Sequence, residues 1–198
     1  MSPKKEIFIV NKMPLDDIDY ILNLYYKNKL RNLKVLGTGS FSTVYEYKNY
    51  AIKYFEEDDC IDGEILEKLQ GCKFFPKLFF YISEELVVME KVEGVMLSEF
   101  DIKNIFYFEI KNVFEILEFC YNKKVIIDDI HEDNIMVDKN GNLKIIDVGL
   151  YKNLYKNISF FEYLIDNCNT VESLMYSIFN IRNLRADSML EVINSVLK

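Results

Sequence analysis

The chain has 198 residues, half of them hydrophobic and 15% aromatic, enough to bury a core as one compact unit or two small lobes. Lysine and arginine number 24 against 32 acids, a net charge of -8, which argues against nucleic acid or an anionic membrane surface as the main partner. The four cysteines, Cys60, Cys72, Cys120 and Cys168, form no CxxC and have one histidine to help them, so no zinc site is expected and reduced cytoplasmic thiols are the plain reading.

In chain order, the apolar run Ile7 to Val10 is too short for a signal sequence, and no uncharged apolar stretch reaches the ~20 residues that span a bilayer. The protein is therefore expected in the cytoplasm, with no membrane partner. Residues 14 to 30 read as a helix: Pro14 opens it, Asp16 and Asp17 suit its first turn, and Ile18, Ile21, Leu22 and Tyr25 recur at helical spacing. Short β-type runs follow at Leu33 to Leu36, Thr43 to Tyr47 and Tyr50 to Phe55, the last two joined by a tight turn at Lys48 and Asn49. Residues 61 to 70 return to helical spacing. Phe79 to Ile82 and Leu86 to Glu90 read as two further strands, and 103 to 122 as a helix. Val125 to Ile127, Ile135 to Val137 and Leu143 to Ile146 are short strands, the latter two linked by a turn at Asn140 and Gly141; the last 50 residues are mainly helical. No Gly/Ser/Pro-rich linker interrupts the chain, so a short hinge near Glu90 to Gly94 is expected between its halves.

The segment Gly37, Thr38, Gly39, Ser40, Phe41, Ser42, Thr43, Val44 lies between two predicted strands. Glycines let backbone N–H groups approach phosphates where a side chain would collide. Alone, a Gly-x-Gly hairpin is more often only a hairpin, and the strand after it excludes a Rossmann or Walker site, both of which need a helix there. Alternation along the next strand puts Ala51 and Lys53 on one face and Ile52 on the other. A strand lysine is commonly just solvated, but behind a Gly hairpin it can neutralise phosphate. A carboxylate on the following helix can hold it; Glu64 is the choice, with Asp62 one register away.

The strongest signal runs from Ile127 to Gly149. Asp129, then Asn134 five residues on and Asp147 thirteen beyond that, flank short apolar strands. Oxygen ligands from Asn134 and Asp147 suit Mg²⁺, which takes one or two protein ligands plus phosphate oxygens and water. Asp129 is then left to accept a proton from, or orient, an attacking hydroxyl. An acidic loop of Asx turns would explain any one of these residues. It does not predict their order behind the Gly loop and the lysine.

With those motifs in hand, the chain resembles a protein kinase: GTGSFSTV for the Gly-rich loop, AIK for the lysine strand, DIHEDN for the catalytic loop and DVG for the metal-binding triplet. The resemblance covers about Leu33 to Leu150. It implies an α+β, bilobal fold with a helical extension over 1–32, a β-rich N-lobe over 33–90 and a short, mainly helical C-lobe over 91–198. It implies ATP and Mg²⁺ as cofactors, and a protein or small-molecule hydroxyl as acceptor. Gly37, Thr38, Gly39, Ser40, Phe41 and Val44 would cover the nucleotide, with Ala51 beside it. Lys53, held by Glu64, would pair with its phosphates, and the hinge residues Met89, Glu90 and Val92 would meet its adenine. Asp129 would be the catalytic Asp and Asn134 and Asp147 the metal ligands.

Several positions depart from the kinase pattern. The third glycine is Ser42, the usual His-Arg before the catalytic Asp is Ile127 and Asp128, and DFG has become DVG through Val148. Loss of the arginine removes the usual receiver of an activation-loop phosphate. His131 sits where Ser/Thr kinases carry lysine, and DxHxxN resembles aminoglycoside and choline kinases; contact with the transferring phosphate and turn packing are both open to it. Only 51 residues follow Asp147, with no Ala-Pro-Glu motif, so the chain resembles the minimal RIO-type and tRNA-modification-associated kinases. An active kinase, most simply of the Ser/Thr type, is the leading expectation; a small-molecule phosphotransferase and a nucleotide-binding module without catalysis are the competitors.

Overall fold

The computed structural model describes residues 5–56, 60–100 and 110–179. They fall into two compact units, one made of Met1–Gln70 with Pro76–Val92, the other of Gly71–Phe75 with Glu93–Lys198.

In the first unit the elements are β1 (Ile7–Ile9), α1 (Leu15–Tyr26), β2 (Lys34–Thr38), β3 (Ser42–Tyr47), β4 (Tyr50–Phe55), α2 (Asp62–Lys68), β5 (Leu78–Ile82) and β6 (Leu86–Glu90). The six strands form one antiparallel sheet in the order β1-β5-β6-β4-β3-β2. Ile7 to Ile9, noted in the sequence only as an apolar run, is its edge strand beside β5. The helix expected over 14–30 ends earlier, at Tyr26, with Leu30–Asn32 in a 3₁₀ turn after the left-handed Asn28.

Helix α1 covers one face of this sheet. Its buried Ile18, Ile21 and Leu24 share a core with Tyr45, Ile52, Phe80, Ile82, Leu86 and Val88. At its start the buried Asp17 accepts hydrogen bonds from the hydroxyls of Tyr47 (3.1 Å) and Tyr50 (3.3 Å) and pairs with Lys48, which ties the helix to the β3–β4 hairpin. Alternation along β4 therefore turns Ala51, Lys53 and Phe55 to the opposite face. Helix α2 lies there, close enough that a Cβ on Gly63 would stand 2.5 Å from the Tyr81 ring.

The second unit contains β7 (Gly94–Met96), α3 (Ile110–Asn122), β8 (Val125–Ile126), β9 (Ile135–Asp138), β10 (Leu143–Ile145), β11 (Lys152–Asn153), α4 (Phe160–Asp166) and α5 (Cys168–Phe179). Antiparallel pairing gives the order β10-β9-β7 in one small sheet and joins β11 to β8 in a second. The residues around the expected hinge continue into β7, where a Cβ on Gly94 would stand 2.0 Å from the Val137 carbonyl oxygen. Only glycine permits that approach. Val113, Leu117 and Cys120 of α3 are buried with Val125, Ile127, Tyr163, Leu164 and Leu174 in this unit's core. Of the helix expected over 103–122, the part from Ile110 is observed; residues 103–109, and the predicted helical positions beyond 179, lie outside the described residues. Among the described residues no helix is long and apolar enough to cross a membrane.

Candidate active site

Strand register aligns the candidate residues of the first unit. Gly37 is opposite Val44, Val44 opposite Lys53, and Lys53 opposite Val87, so these residues form one row across β2, β3, β4 and β6. Ala51 stands opposite Met89 two residues along. Neither Gly37 nor Gly39 has a positive φ. No atom lies within 4 Å of a Cβ placed on Gly37, and Gly39 would meet only Ser42 at 3.8 Å. The fold does not require glycine at either place. Their missing side chains leave room beside the backbone, as a phosphate needs. Thr38, Ser40 and Phe41 are exposed around them, Phe41 at 60%.

Lys53 is only 5% exposed. Its Nζ donates to Asp62 Oδ2 at 2.7 Å and lies 5.2 Å from the centre of the Phe55 ring. Contrary to expectation, Glu64 is exposed to solvent, and Asp62, at the first position of α2, is the acid that holds the lysine. A further group was not legible beforehand, the Cys60 thiol, which donates to Asp62 Oδ1 at 2.7 Å. Burial, then the Asp62 charge, push that thiol well up, so it stays protonated and unreactive. At the end of β6, Glu90 N–H donates to the Lys77 carbonyl (2.8 Å) and Lys91 N–H to that of Asn49 (3.0 Å). The Val92 N–H, next along, has no hydrogen-bond partner among the described residues.

In the second unit the β9–β10 hairpin does the assembling. Its turn lies at Asp138–Asn142, and Ile135 pairs with Ile145 at its open end. Ile146 N–H donates to the Asn134 carbonyl at 2.9 Å. Asn134 and Asp147 are thereby brought to the same end of one hairpin. Asn134 Nδ2 donates to the Asp129 carbonyl (2.8 Å) and reaches its Oδ2 at 3.5 Å, which leaves Asn134 Oδ1 without a donor among the described residues. Asp147 Oδ1 accepts from Gly149 N–H at 2.9 Å. Among the described residues no group of three His, Cys, Asp or Glu is placed to hold a metal. An amide oxygen beside one carboxylate is instead the sparse oxygen set that suits Mg²⁺.

Asp129 has φ 51°, the left-handed region that costs a non-glycine residue roughly 1 kcal/mol or more. Its half-exposed side chain lies 3.9 Å from His131 Nε2. His131 Nδ1 accepts from Asp133 N–H at 3.2 Å and so caps the 3₁₀ turn Glu132–Asn134. Turn packing is thus what the imidazole does in this structure. The strand entering the loop is held by the C-terminal helices: the Tyr163 hydroxyl donates to the Val125 carbonyl (2.9 Å) and the Thr170 hydroxyl to that of Ile127 (3.2 Å). Val148, in the place of the usual phenylalanine, is buried.

The protein kinase domain profile matches residues 30–176. A probable serine/threonine-protein kinase of Dictyostelium discoideum is 27% identical over 200 residues, covering 86% of this chain and 38% of that protein. NUAK family SNF1-like kinase 2 of Homo sapiens is 26% identical over 191 residues, covering 81% of this chain and 30% of its own length. A putative ribosomal protein S6 kinase alpha-2 of Caenorhabditis elegans is 27% identical over 150 residues, 61% of this chain and 19% of that protein. The chain spans well under half the length of these relatives.

Proposed function

Because the chain belongs to the protein kinase domain family, we propose that it transfers the terminal phosphate of ATP, with Mg²⁺, to a serine or threonine hydroxyl of a protein. The observation that carries this reading is the buried Lys53–Asp62 pair, whose lysine stands in one row with Gly37 and Val44. A buried lysine is costly unless paired. Holding one beneath a glycine loop makes physical sense where an anion is to be met.

In this reading Gly37, Thr38, Gly39, Ser40, Phe41 and Val44 cover the nucleotide, and the row below them supplies Lys53 to its phosphates. Ala51, Met89, Glu90 and Val92 receive the adenine, the free Val92 N–H supplying a donor to it. Asn134 through Oδ1 and Asp147 hold the metal. When bound, Mg²⁺ neutralises charge on the phosphate oxygens. Asp129 orients the acceptor hydroxyl and takes its proton as the oxygen attacks. The protein acceptor rests on the relatives, among which the Dictyostelium discoideum protein is named a probable serine/threonine-protein kinase.

The test is incubation of the purified chain with γ-labelled ATP and Mg²⁺, with casein, myelin basic protein and a cell lysate as acceptors, beside Asp129→Asn. Label on protein serine or threonine that vanishes with Asp129→Asn and with EDTA is the expected result. Label found only in small molecules would move the acceptor class, and no transfer to anything would overturn the proposal.

A further inference from the structure

The residue before Asp129 is an acid, and the structure gives both of its carboxylate oxygens work. Asp128 Oδ1 accepts the Asp129 N–H at 3.0 Å, and Asp128 Oδ2 accepts from Lys152 Nζ at 2.7 Å. Lys152 lies on β11, beyond Asp147, and stands opposite Ile126 of β8. Its neighbours hold it there: Tyr151 and Leu154 are buried, and Leu154 N–H donates to the Lys124 carbonyl at 2.7 Å. One carboxylate thus joins the backbone of a residue in the left-handed region to a cation on the segment that follows the hairpin.

We propose that Asp128 is a positioning residue for Asp129, fixing the peptide plane that leads into its left-handed backbone, and that Lys152 holds Asp128 in turn. This rests on the phosphotransferase reading above for what Asp129 does, but not for how it is held. Where phosphorylation orders such a segment, it does so by giving cationic side chains an anion to bind. Here the chain already carries the anion, Asp128, and the cation, Lys152. An acid at this position would also repel a phosphate brought near it. The fastening is built in, and phosphatase treatment is expected to leave transfer unchanged.

An isolated exposed ion pair contributes little to stability, and Asp128 and Lys152 are 45% and 65% exposed in their side chains. The positioning role is therefore read from Asp129 rather than from melting alone. The variants are Asp128→Ala, Asp128→Asn, Lys152→Met and Lys152→Arg, each in the full chain. Backbone NMR of Asp129, by its Cα shift and amide exchange, reads the conformation without needing activity; kcat and KM for ATP read its use.

Asp128→Ala is expected to speed Asp129 amide exchange and lower kcat about tenfold or more, as loss of a charged hydrogen bond would. Lys152→Met should lower kcat about three- to fivefold, within the range of an exposed pair, with KM for ATP little changed. Lys152→Arg should recover it, and Asp128→Asn, which keeps the acceptor but not the charge, should fall between. Asp129 shifts and exchange that are the same in Asp128→Ala as in the unsubstituted chain would overturn the proposal, as would equal kcat in Lys152→Met and Lys152→Arg. If the unsubstituted chain transfers no phosphate, the proposed function falls, and the Asp129 backbone readout alone decides the positioning.

Discussion

Lys53 Nζ lies 2.7 Å from Asp62 Oδ2, and both side chains are almost wholly buried, at 6% and 4% exposure. A pair in that setting is costly to break from one side only, because the remaining charge stays buried and loses this partner. Cys60 adds a donor to the other carboxylate oxygen, so the acid is held on both sides.

The first prediction separates the two acids of α2. Asp62→Ala is expected to destabilise the chain by about 3 kcal/mol or more, the usual result of removing one member of a buried ion pair, and to lower phosphate transfer with it. Glu64→Ala, at an exposed site, should stay within about 0.5 kcal/mol. Urea unfolding of the two variants checks this, and equal losses in both would sink the assignment.

That distinction marks where the sequence stops being readable. The order of Gly loop, strand lysine, Asp129, Asn134 and Asp147 stands in the sequence itself, and the proposed phosphoryl transfer rests on those residue types. The strands bearing them were legible from alternation. Which acid of a short helix faces the sheet was not, because Asp62 and Glu64 differ by one register and the deciding contact is Gly63 against Tyr81, nearly twenty residues away. Strands β1, β7 and β11 have three, three and two residues, too few to show a period. The Asp128–Lys152 pair joins residues 24 positions apart and left no local trace.

The second prediction concerns the hairpin end. Asp129→Asn is expected to lower transfer about 10²- to 10⁴-fold, the range for losing a general base, and Asp147→Asn to lower it by several decades through lost charge stabilisation. Both side chains are at least partly open to solvent, so melting temperature should barely move. Initial rates under saturating ATP and Mg²⁺ read the effect. Undiminished transfer in both variants would remove these residues from the site.

A third prediction is acid sensitivity at β3. Glu46 accepts from Lys34 at 2.8 Å and Lys91 at 2.7 Å, and these two cations, Lys34 first, hold its carboxyl down to about 2 from the ordinary 4.5. The folded chain therefore resists a proton that the unfolded chain accepts near pH 4.5. The pairs' contribution is complete above that pH and is lost as pH falls toward 2. Between those values the unsubstituted chain should lose stability more steeply than Glu46→Gln, and added salt should narrow the gap. Urea midpoints across that pH range measure it; parallel curves would refute the claim.

The fourth prediction sets two effects of opposite sign against each other at Gly63. Within a helix, alanine is favoured over glycine by about 1 kcal/mol. At this position, however, the added Cβ would stand 2.5 Å from the Tyr81 ring and 2.8 Å from its Cβ. Tyr81 has little freedom to yield, since its hydroxyl donates to Glu67 at 2.8 Å and its ring stacks on Phe8 with centroids 4.8 Å apart. The helix must move instead, and Asp62 moves with it, away from Lys53. Overpacking of this kind costs about 1–3 kcal/mol, which exceeds the propensity gain. Gly63→Ala should therefore destabilise the unsubstituted chain. In a Tyr81→Ala background, where the ring is gone, the same change should be neutral or stabilising. A double-mutant cycle by urea unfolding decides the matter, because a helix governed by propensity alone would be stabilised by Gly63→Ala in both backgrounds.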